Sequence, residues 1–582
     1  WGGNTNGQLG FGDTQSKDLP TAVPFFQGKK ATNVFTGGMH SVVLVNGPEI
    51  PFPPSNFLAI LTLPKIQQLL EKATHKPESK ISALFHHILH PTQKDGHTAP
   101  GYGELIALVK EVFSSPTNLN ASFLRKDHMD TNETNSGVDL SDVRESYIRL
   151  LSVADVATAL QAATTQLIMN LKIAHLDSFE SMRVIVILLE NPLLLKTTKQ
   201  NISMQEKLCS ALMSLPPKSK TILHQWWRSY PSEYFSRLVS LFQSYLSFVV
   251  EHAIDSQVVA VTEMINVLHT INQETKIIPY QKFYNLEVST KRNLQQEYVN
   301  WRTSQNIFSF LRFPFLLDAA AKSQILHIDA VMQMEMQVQQ TVVDTIFRGY
   351  ISSPYLFINV RRDNIMGDTL GQLNGLSPRD LKKPLKVSFE GEPGVDEGGV
   401  QKEFFQLIVK ELFDPNYAMF TYNEEARTIF FSNTALETEQ QYTLIGIILG
   451  LAIYNGVMLD IRFPLVVYKK LLGIPPTMDD LMEVNPSVAM SLQKLLSYDG
   501  NVEDDFGTYF EVAVDFFGET QHHELIPGGA ETPVTNSNRQ KYAELYMNFL
   551  LEKSVAKQFG AFQKGFMMVA GGPLLRIFTP EE

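Results

Sequence analysis

Eighteen consecutive residues without a charge, Tyr442 to Leu459 (YTLIGIILGLAIYNGVML), set the strongest constraint on what this chain can fold into. A run of that length either crosses a bilayer or lies inside a large core. Gly446 and Gly450 have the spacing of a membrane helix dimer. Against that, Asn455 and three glycines dilute the run, Asp460 ends it, and no second run of the kind follows. The expectation is a helix buried in a folded core, with no membrane span.

The rest of the chain supplies such a core. It has 582 residues, 44% apolar and 19% charged, which is the balance of a folded protein. At roughly 150 residues per domain, about four domains are expected. A formal net charge of -12 excludes a whole-chain basic footprint for nucleic acid or anionic lipid. The single cysteine, Cys209, can form neither an intramolecular disulfide nor a cysteine-rich zinc site, which fits a reducing, cytoplasmic setting. The chain opens at Trp1 inside what reads as a repeat and stops at Pro580-Glu581-Glu582, so a piece of a longer protein is expected.

Three textures succeed one another. Residues 1–47 are glycine-rich with short β-branched runs: Gly7-Gln8-Leu9-Gly10-Phe11-Gly12, then Gly37-Gly38-Met39-His40-Ser41 and Val42-Val43-Leu44-Val45. Glycines at this density supply turns between short strands. A phosphate-cradling loop is excluded, because no Lys-Ser/Thr comes after it and no helix pattern opens. The pattern WGxNxxGQLGxG followed by GxxHSxxL resembles one repeat of the regulator-of-chromosome-condensation propeller. A lone repeat of that kind cannot bury its own face, so earlier blades are expected upstream.

Residues 55–330 read as helical, with stripes such as Phe57-x-x-Ile60-Leu61 and Leu238-x-x-Leu241-Phe242-x-x-Tyr245-Leu246. Pro192, Pro216-Pro217, Pro231 and Pro279 punctuate them. The polar stretch 114–142 is expected to be a long mobile loop. Asn-x-Ser/Thr sequons at Asn120, Asn132 and Asn201 carry no weight in a cytosolic chain. His86, His87 and His90 place imidazoles one turn apart, but His87 stands where a zinc hydrolase carries its Glu and no third ligand is evident, so no metal or other cofactor is expected. Cys209 has apolar neighbours and no basic partner nearby, so it reads as a buried small hydrophobe. Trp226-Trp227-Arg228 reads as a core anchor, though such clusters also make binding hot spots.

From about residue 331 the texture is mixed α/β. Pro354–Val360 and Leu385–Phe389 read as strands around a helix near Ile365–Leu373. A turn at Gly394–Gly399 then opens a helix with Val400, Phe404, Leu407, Ile408 and Leu412 on one face. Asp396 and Glu397 oppose an anion at its start, so that turn reads as structural.

The segments VRRDNIMGDTL (360–370), GVDEGGVQKEFF (394–405), IGIILGLAIYNGVMLDIRFPLVVYKKLLG (445–473), YDGNVEDDF (498–506), PVTNSNRQKYAELY (533–546) and the close KQFGAFQKGFMMV…LLRIFTPEE resemble a HECT-type ubiquitin ligase. With the propeller repeat upstream, the order resembles the small HERC-type ligases. The implied fold class is multidomain: a partial β-propeller repeat at 1–47, an α-helical middle region at 55–330, and a mixed α/β, mainly helical HECT N-terminal lobe at 331–582.

The resemblance also implies a mechanism. A ubiquitin-conjugating enzyme docks on the N-terminal lobe and passes ubiquitin to a cysteine in a Thr-Cys-Phe context of a C-terminal lobe, and a substrate lysine then attacks that thioester. Sulfur suits this work, being nucleophilic near neutral pH and leaving a thioester that is reactive toward amines. These 582 residues hold no Thr-Cys-Phe context, so transthiolation is not expected of them. The implied partners are a conjugating enzyme, ubiquitin and protein substrates. The family's docking groove maps onto Val488, Leu492, Tyr498, Phe506, Thr508, Tyr542 and Tyr546. From the residues alone these aromatics could equally pack the core. Glu503, Asp504 and Asp505 read as a solvated acidic turn. The competing readings are a non-catalytic binding module and, ranked last, a guanine-nucleotide exchange scaffold, for which one incomplete repeat is insufficient.

Overall fold

A computed structural model describes residues 4–5, 7–11, 13–19, 21–23, 30–36, 41–46, 58–74, 101–126, 131–171, 176–303, 306–348, 353–392, 398–424, 426–434, 438–516 and 519–582. These form two compact units, Trp1–Lys291 and Arg292–Glu582.

The first unit opens with the glycine turns. Gly7 and Gly10 take φ of +72° and +75°, which side chains rarely adopt. Asn4, fully buried, fixes them: its Oδ1 accepts the Leu9 amide at 2.8 Å and its Nδ2 donates to the Asp13 carbonyl at 2.9 Å. An antiparallel hairpin comes next, β1 (Lys30–Thr36) with β2 (Ser41–Asn46), irregular between Ala31 and Asn33. His86, His87 and His90 lie outside the described residues.

The described remainder of this unit is helical. Its longest members, Ser232–Glu251 and Asp255–Thr275, pack together, and Leu238, Leu241, Phe242, Tyr245 and Leu246 are all buried as their spacing predicts. The helix expected around Phe57–Leu61 begins instead at Leu63. The tryptophans of the Trp226-Trp227-Arg228 cluster are buried, and Arg228 pairs with Glu274 at 2.9 Å.

The stretch 114–142 departs from the expected mobile loop. Pro116–Asn120 is a short helix capped by Ser115, and Leu124 bridges Val138. Residues 127–130 lie outside the described residues. Buried side chains from later helices use the loop's polar atoms: Trp226 Nε1 donates to the Asn132 carbonyl at 2.8 Å, and Arg183 Nε to that of Ser136 at 3.0 Å. Both acceptors are main-chain carbonyls, so it is the path of the backbone that these donors fix. Two of the sequon asparagines are themselves structural: Asn120 accepts the Val184 amide and Asn201 donates to the Leu193 carbonyl.

In the second unit a 30-residue helix, Ala319–Arg348, crosses the domain boundary expected at 330/331. Its first turns already belong with the C-terminal elements, since Lys322 Nζ binds both carboxylate oxygens of Glu582 at 2.8 and 2.6 Å. Strands β3 (Leu356–Val360) and β4 (Leu385–Phe389) pair in parallel, joined through the Ile365–Leu373 and Pro378–Leu381 helices. Of the Gly394–Gly399 turn, residues 394–397 lie outside the described residues. The Gly399–Leu412 helix is next, with Phe404, Ile408 and Leu412 buried, and then the hairpin of β5 (Phe420–Asn423) and β6 (Thr428–Phe431).

The uncharged run forms the central helix of this unit, Glu439–Tyr454, buried on nearly every side. It stops short of Leu459 because the Asn455 side-chain amide donates to the Leu451 carbonyl and Gly456 turns at φ +67°. Its glycine spacing serves a close helix–helix crossing. A Cβ at Gly446 would collide with the Phe562 carbonyl oxygen of the Ala556–Val569 helix, and one at Gly565 with the Thr443 carbonyl oxygen. Among the described residues, no helix is long and apolar enough to cross a membrane.

Candidate docking site

The seven residues mapped onto a docking groove lie on one continuous segment of the second unit. Its first element is the Pro486–Leu496 helix, which starts where Pro fills the first position and Asn485 accepts the Val488 amide at 3.2 Å. Ala489, Leu492 and Leu495, three apart, form its buried stripe, and Val488 is half-buried beside it. Arg539 closes the far end, donating to the carbonyls of Leu495 (3.2 Å) and Tyr498.

A one-turn helix, Val502–Phe506, comes next and ends at Gly507 with φ +56°. The Tyr498 and Phe506 rings meet edge to face, with centroids 5.1 Å apart. Tyr498 donates its hydroxyl to Asp505 at 2.8 Å; that bond to a carboxylate raises its pKa and fixes the ring's direction. Glu503, Asp504 and Asp505 are all exposed, as a solvated acidic turn should be, and Asp504 accepts from the Asn501 side-chain amide. Thr508 accepts the Val534 amide at 2.8 Å, which joins this turn to the approach of the last element.

That element is the Arg539–Asn548 helix, which packs on Pro486–Leu496. Asn538 occupies the cap position expected from Thr-Asn-Ser-Asn, but its Oδ1 accepts the Thr535 amide at 2.7 Å rather than a helix amide. Tyr542 contacts Phe510 and Tyr546 edge to face at 5.4 and 5.7 Å. Burial raises the pKa of both tyrosines.

The seven residues thus divide in two. Leu492 and Tyr542, each 4% exposed, lie beneath the surface and hold the segment together. Val488, Tyr498, Phe506, Thr508 and Tyr546 are half-buried and leave area for a partner. Sequence reasoning missed Tyr509, 43% exposed beside Thr508. The signal was available: Phe510 is apolar and enters the core, so its extended neighbour faces the other way. Tyr542→Ala is expected to lower stability by about 3–5 kcal/mol, as loss of a buried aromatic does. Tyr546→Ala should cost well under half of that. Chemical denaturation checks both; equal losses would contradict the division.

Among the described residues, no cluster of three His, Cys, Asp or Glu side chains could hold a metal ion. Cys209 belongs to the other unit, on the Ile202–Met213 helix; it is 1% exposed, and burial pushes its thiol from 9.0 to about 12. Between those values the folded chain keeps a proton that the unfolded chain releases, so this thiol lowers stability as pH rises above 9. Native Cys209 is expected to resist iodoacetamide at about pH 8 and to react once guanidinium unfolds the chain; equal rates in the two states would contradict its burial.

Comparison with known proteins places these elements. Residues 406–582 match the HECT-domain (ubiquitin-transferase) family and residues 1–44 the regulator of chromosome condensation (RCC1) repeat. The chain is similar to the probable E3 ubiquitin-protein ligase HERC3 of Homo sapiens, 35% identical over 81% of this chain and 48% of the relative. It is also similar to probable ligase HERC4 of Rattus norvegicus (33% identical, 99% and 58% covered) and to probable ligase HECTD2 of Homo sapiens (34%, 81% and 64%). The chain therefore spans about half to just under two thirds of the curated relatives it matches.

Proposed function

We propose, from the match of residues 406–582 to the HECT-domain family and of residues 1–44 to the RCC1 repeat, that this chain is the part of a HERC-type ubiquitin ligase that receives the ubiquitin-conjugating enzyme. In this reading, residues 1–47 are one blade edge of a propeller, 55–330 a helical region, and 331–582 the docking lobe. The whole ligase accepts ubiquitin as a thioester. The ubiquitin carboxyl carbon passes from the conjugating enzyme's sulfur to a ligase cysteine, and then to a substrate lysine nitrogen, forming an amide and restoring the thiol.

These 582 residues supply the first contact of that sequence and not its chemistry. The observation that carries this assignment is the paired layer of rings, with Tyr498 and Phe506 at the surface in edge-to-face contact and Tyr546 supported from below by buried Tyr542. Half-buried aromatics held by their neighbours lose little conformational freedom on binding, which makes good anchors for an apolar partner loop. Cys209 is no substitute nucleophile, since a thiol held at about 12 is almost wholly protonated near neutral pH and its sulfur is covered.

That same observation supports a second reading, in which a chain of this extent occupies conjugating enzymes or substrates without transferring ubiquitin. The first reading, and the second where a conjugating enzyme is what it occupies, predict saturable binding of a conjugating enzyme, measured by calorimetric titration. Absence of binding across a panel of conjugating enzymes would remove the first and leave only the occupation of substrates.

A further inference from the structure

The docking segment, residues 486–548, is joined to the rest of its unit by two connections that are held in very different ways. Its helices pack chiefly on each other and on these connections. The first connection runs through the Met478–Val484 helix to Asn485. It is fixed at many points. Asp480, buried, binds Lys469 Nζ at 2.8 Å and the Thr477 amide at 2.6 Å. Glu483 accepts the Leu465 amide through its carboxylate and the Asn423 side chain through its carbonyl, both at 2.9 Å.

The second connection is a π-helical stretch, Phe549–Lys553, in which the Ser554 amide reaches back to the Phe549 carbonyl at 2.8 Å. Such wide turns are rare and interrupt the ordinary helix ladder. Lys470, on the Leu465–Leu472 helix, grips it: its ammonium donates to the Leu551 carbonyl at 2.9 Å and to the Glu552 carboxylate, and lies 4.6 Å above the Phe559 ring. Lys470 is 7% exposed, whereas the Glu552 side chain is 39% exposed. Between the two connections and the β5–β6 hairpin lies a cavity of about 650 Å³, lined by Tyr422, Phe431, Pro486, Met490, Leu550 and Val555. This cavity opens to solvent, so the segment has a free face on that side.

We propose that Lys470 is a positioning residue, a latch on the π-helical connection, and that the docking segment turns about the Thr477–Asn485 connection when the latch is broken, using the cavity as its room to move. The inference concerns the joint itself and stands whether or not the groove takes a conjugating enzyme. A broken latch would change the angle at which anything seated on the segment is presented.

The test is a distance measurement between spin labels on the full chain. Gln406→Cys on the Gly399–Leu412 helix and Lys541→Cys on the Arg539–Asn548 helix are exposed sites, and buried Cys209 does not compete for label. Pulsed dipolar spectroscopy should give one narrow distance distribution for the labelled parent chain. Lys470→Met should add a second population, with circular dichroism unchanged. Should Lys470→Met fail to fold, Glu552→Gln decides, because it removes only a partly exposed charge. An unshifted distribution in a folded variant would overturn the latch.

Discussion

Valine at Gly446 is expected to leave residues 292–582 without a cooperative unfolding transition. The added Cβ alone would collide with the Phe562 carbonyl oxygen and stand 2.7 Å from the Phe566 amide nitrogen. Both are backbone atoms in the middle of a helix, and neither can rotate aside. Gly565 repeats the contact from the opposite side, where a Cβ would meet the Thr443 carbonyl and lie 3.0 Å from the Ile447 amide. The two helices must separate or shear, and the buried rings packed around them, Tyr442, Phe559 and Phe562 among them, lose their fit. Overpacking ordinarily costs about 1–3 kcal/mol, and more where backbone must shift. Against total stabilities of roughly 5–15 kcal/mol, a loss beyond that range removes the fold. Gly450→Ala should be milder, because its nearest neighbours, Val569 Cβ at 2.9 Å and the Phe566 carbonyl oxygen at 3.2 Å, stand farther off than the Phe562 carbonyl does at Gly446. Thermal melts followed by circular dichroism compare the two. A Gly446→Val melt as sharp and as high as the parent's would contradict the close crossing.

The second large effect is on binding. Phe506→Ala combined with Tyr546→Ala should weaken the conjugating enzyme's affinity about a hundredfold, ~2.7 kcal/mol, while lowering the melt less than Tyr542→Ala alone. Both residues are half-buried, so truncation exposes little core. Phe506 also supports Tyr498, so its loss releases a second ring from its edge-to-face contact. A conjugating enzyme that binds the double variant as tightly as the parent chain would place docking elsewhere on the protein.

What the sequence disclosed and what it hid depend on the range of the interactions involved. The central helix, the strands β3 and β4 and the Phe404–Ile408–Leu412 face were legible because their patterns are local and periodic. The glycine turns at Gly7 and Gly10 were legible for the same reason, since backbone geometry alone asks for them. The stretch 114–142 was not, because its order comes from Trp226 and Arg183, whose partners lie 94 and 47 residues away. The compact unit that begins at Arg292 was not legible, because compactness depends on contacts such as Lys322 with Glu582, 260 residues apart. In the groove, spacing put Tyr542 and Tyr546 one turn apart but said nothing of which faced outward; packing against Phe510 decides that. Likewise the π-helical turn at Phe549–Lys553 has no periodic signature in the residues that form it.

The most direct measurement is single-turnover transfer from a ubiquitin-loaded conjugating enzyme to this chain, resolved on a non-reducing gel beside a Cys209→Ala variant. The expected result is saturable binding with no thiol-sensitive ubiquitin adduct on either form. An adduct that forms on the parent chain and is lost with Cys209→Ala would contradict the account, because it would make a covered, proton-bound thiol the acceptor.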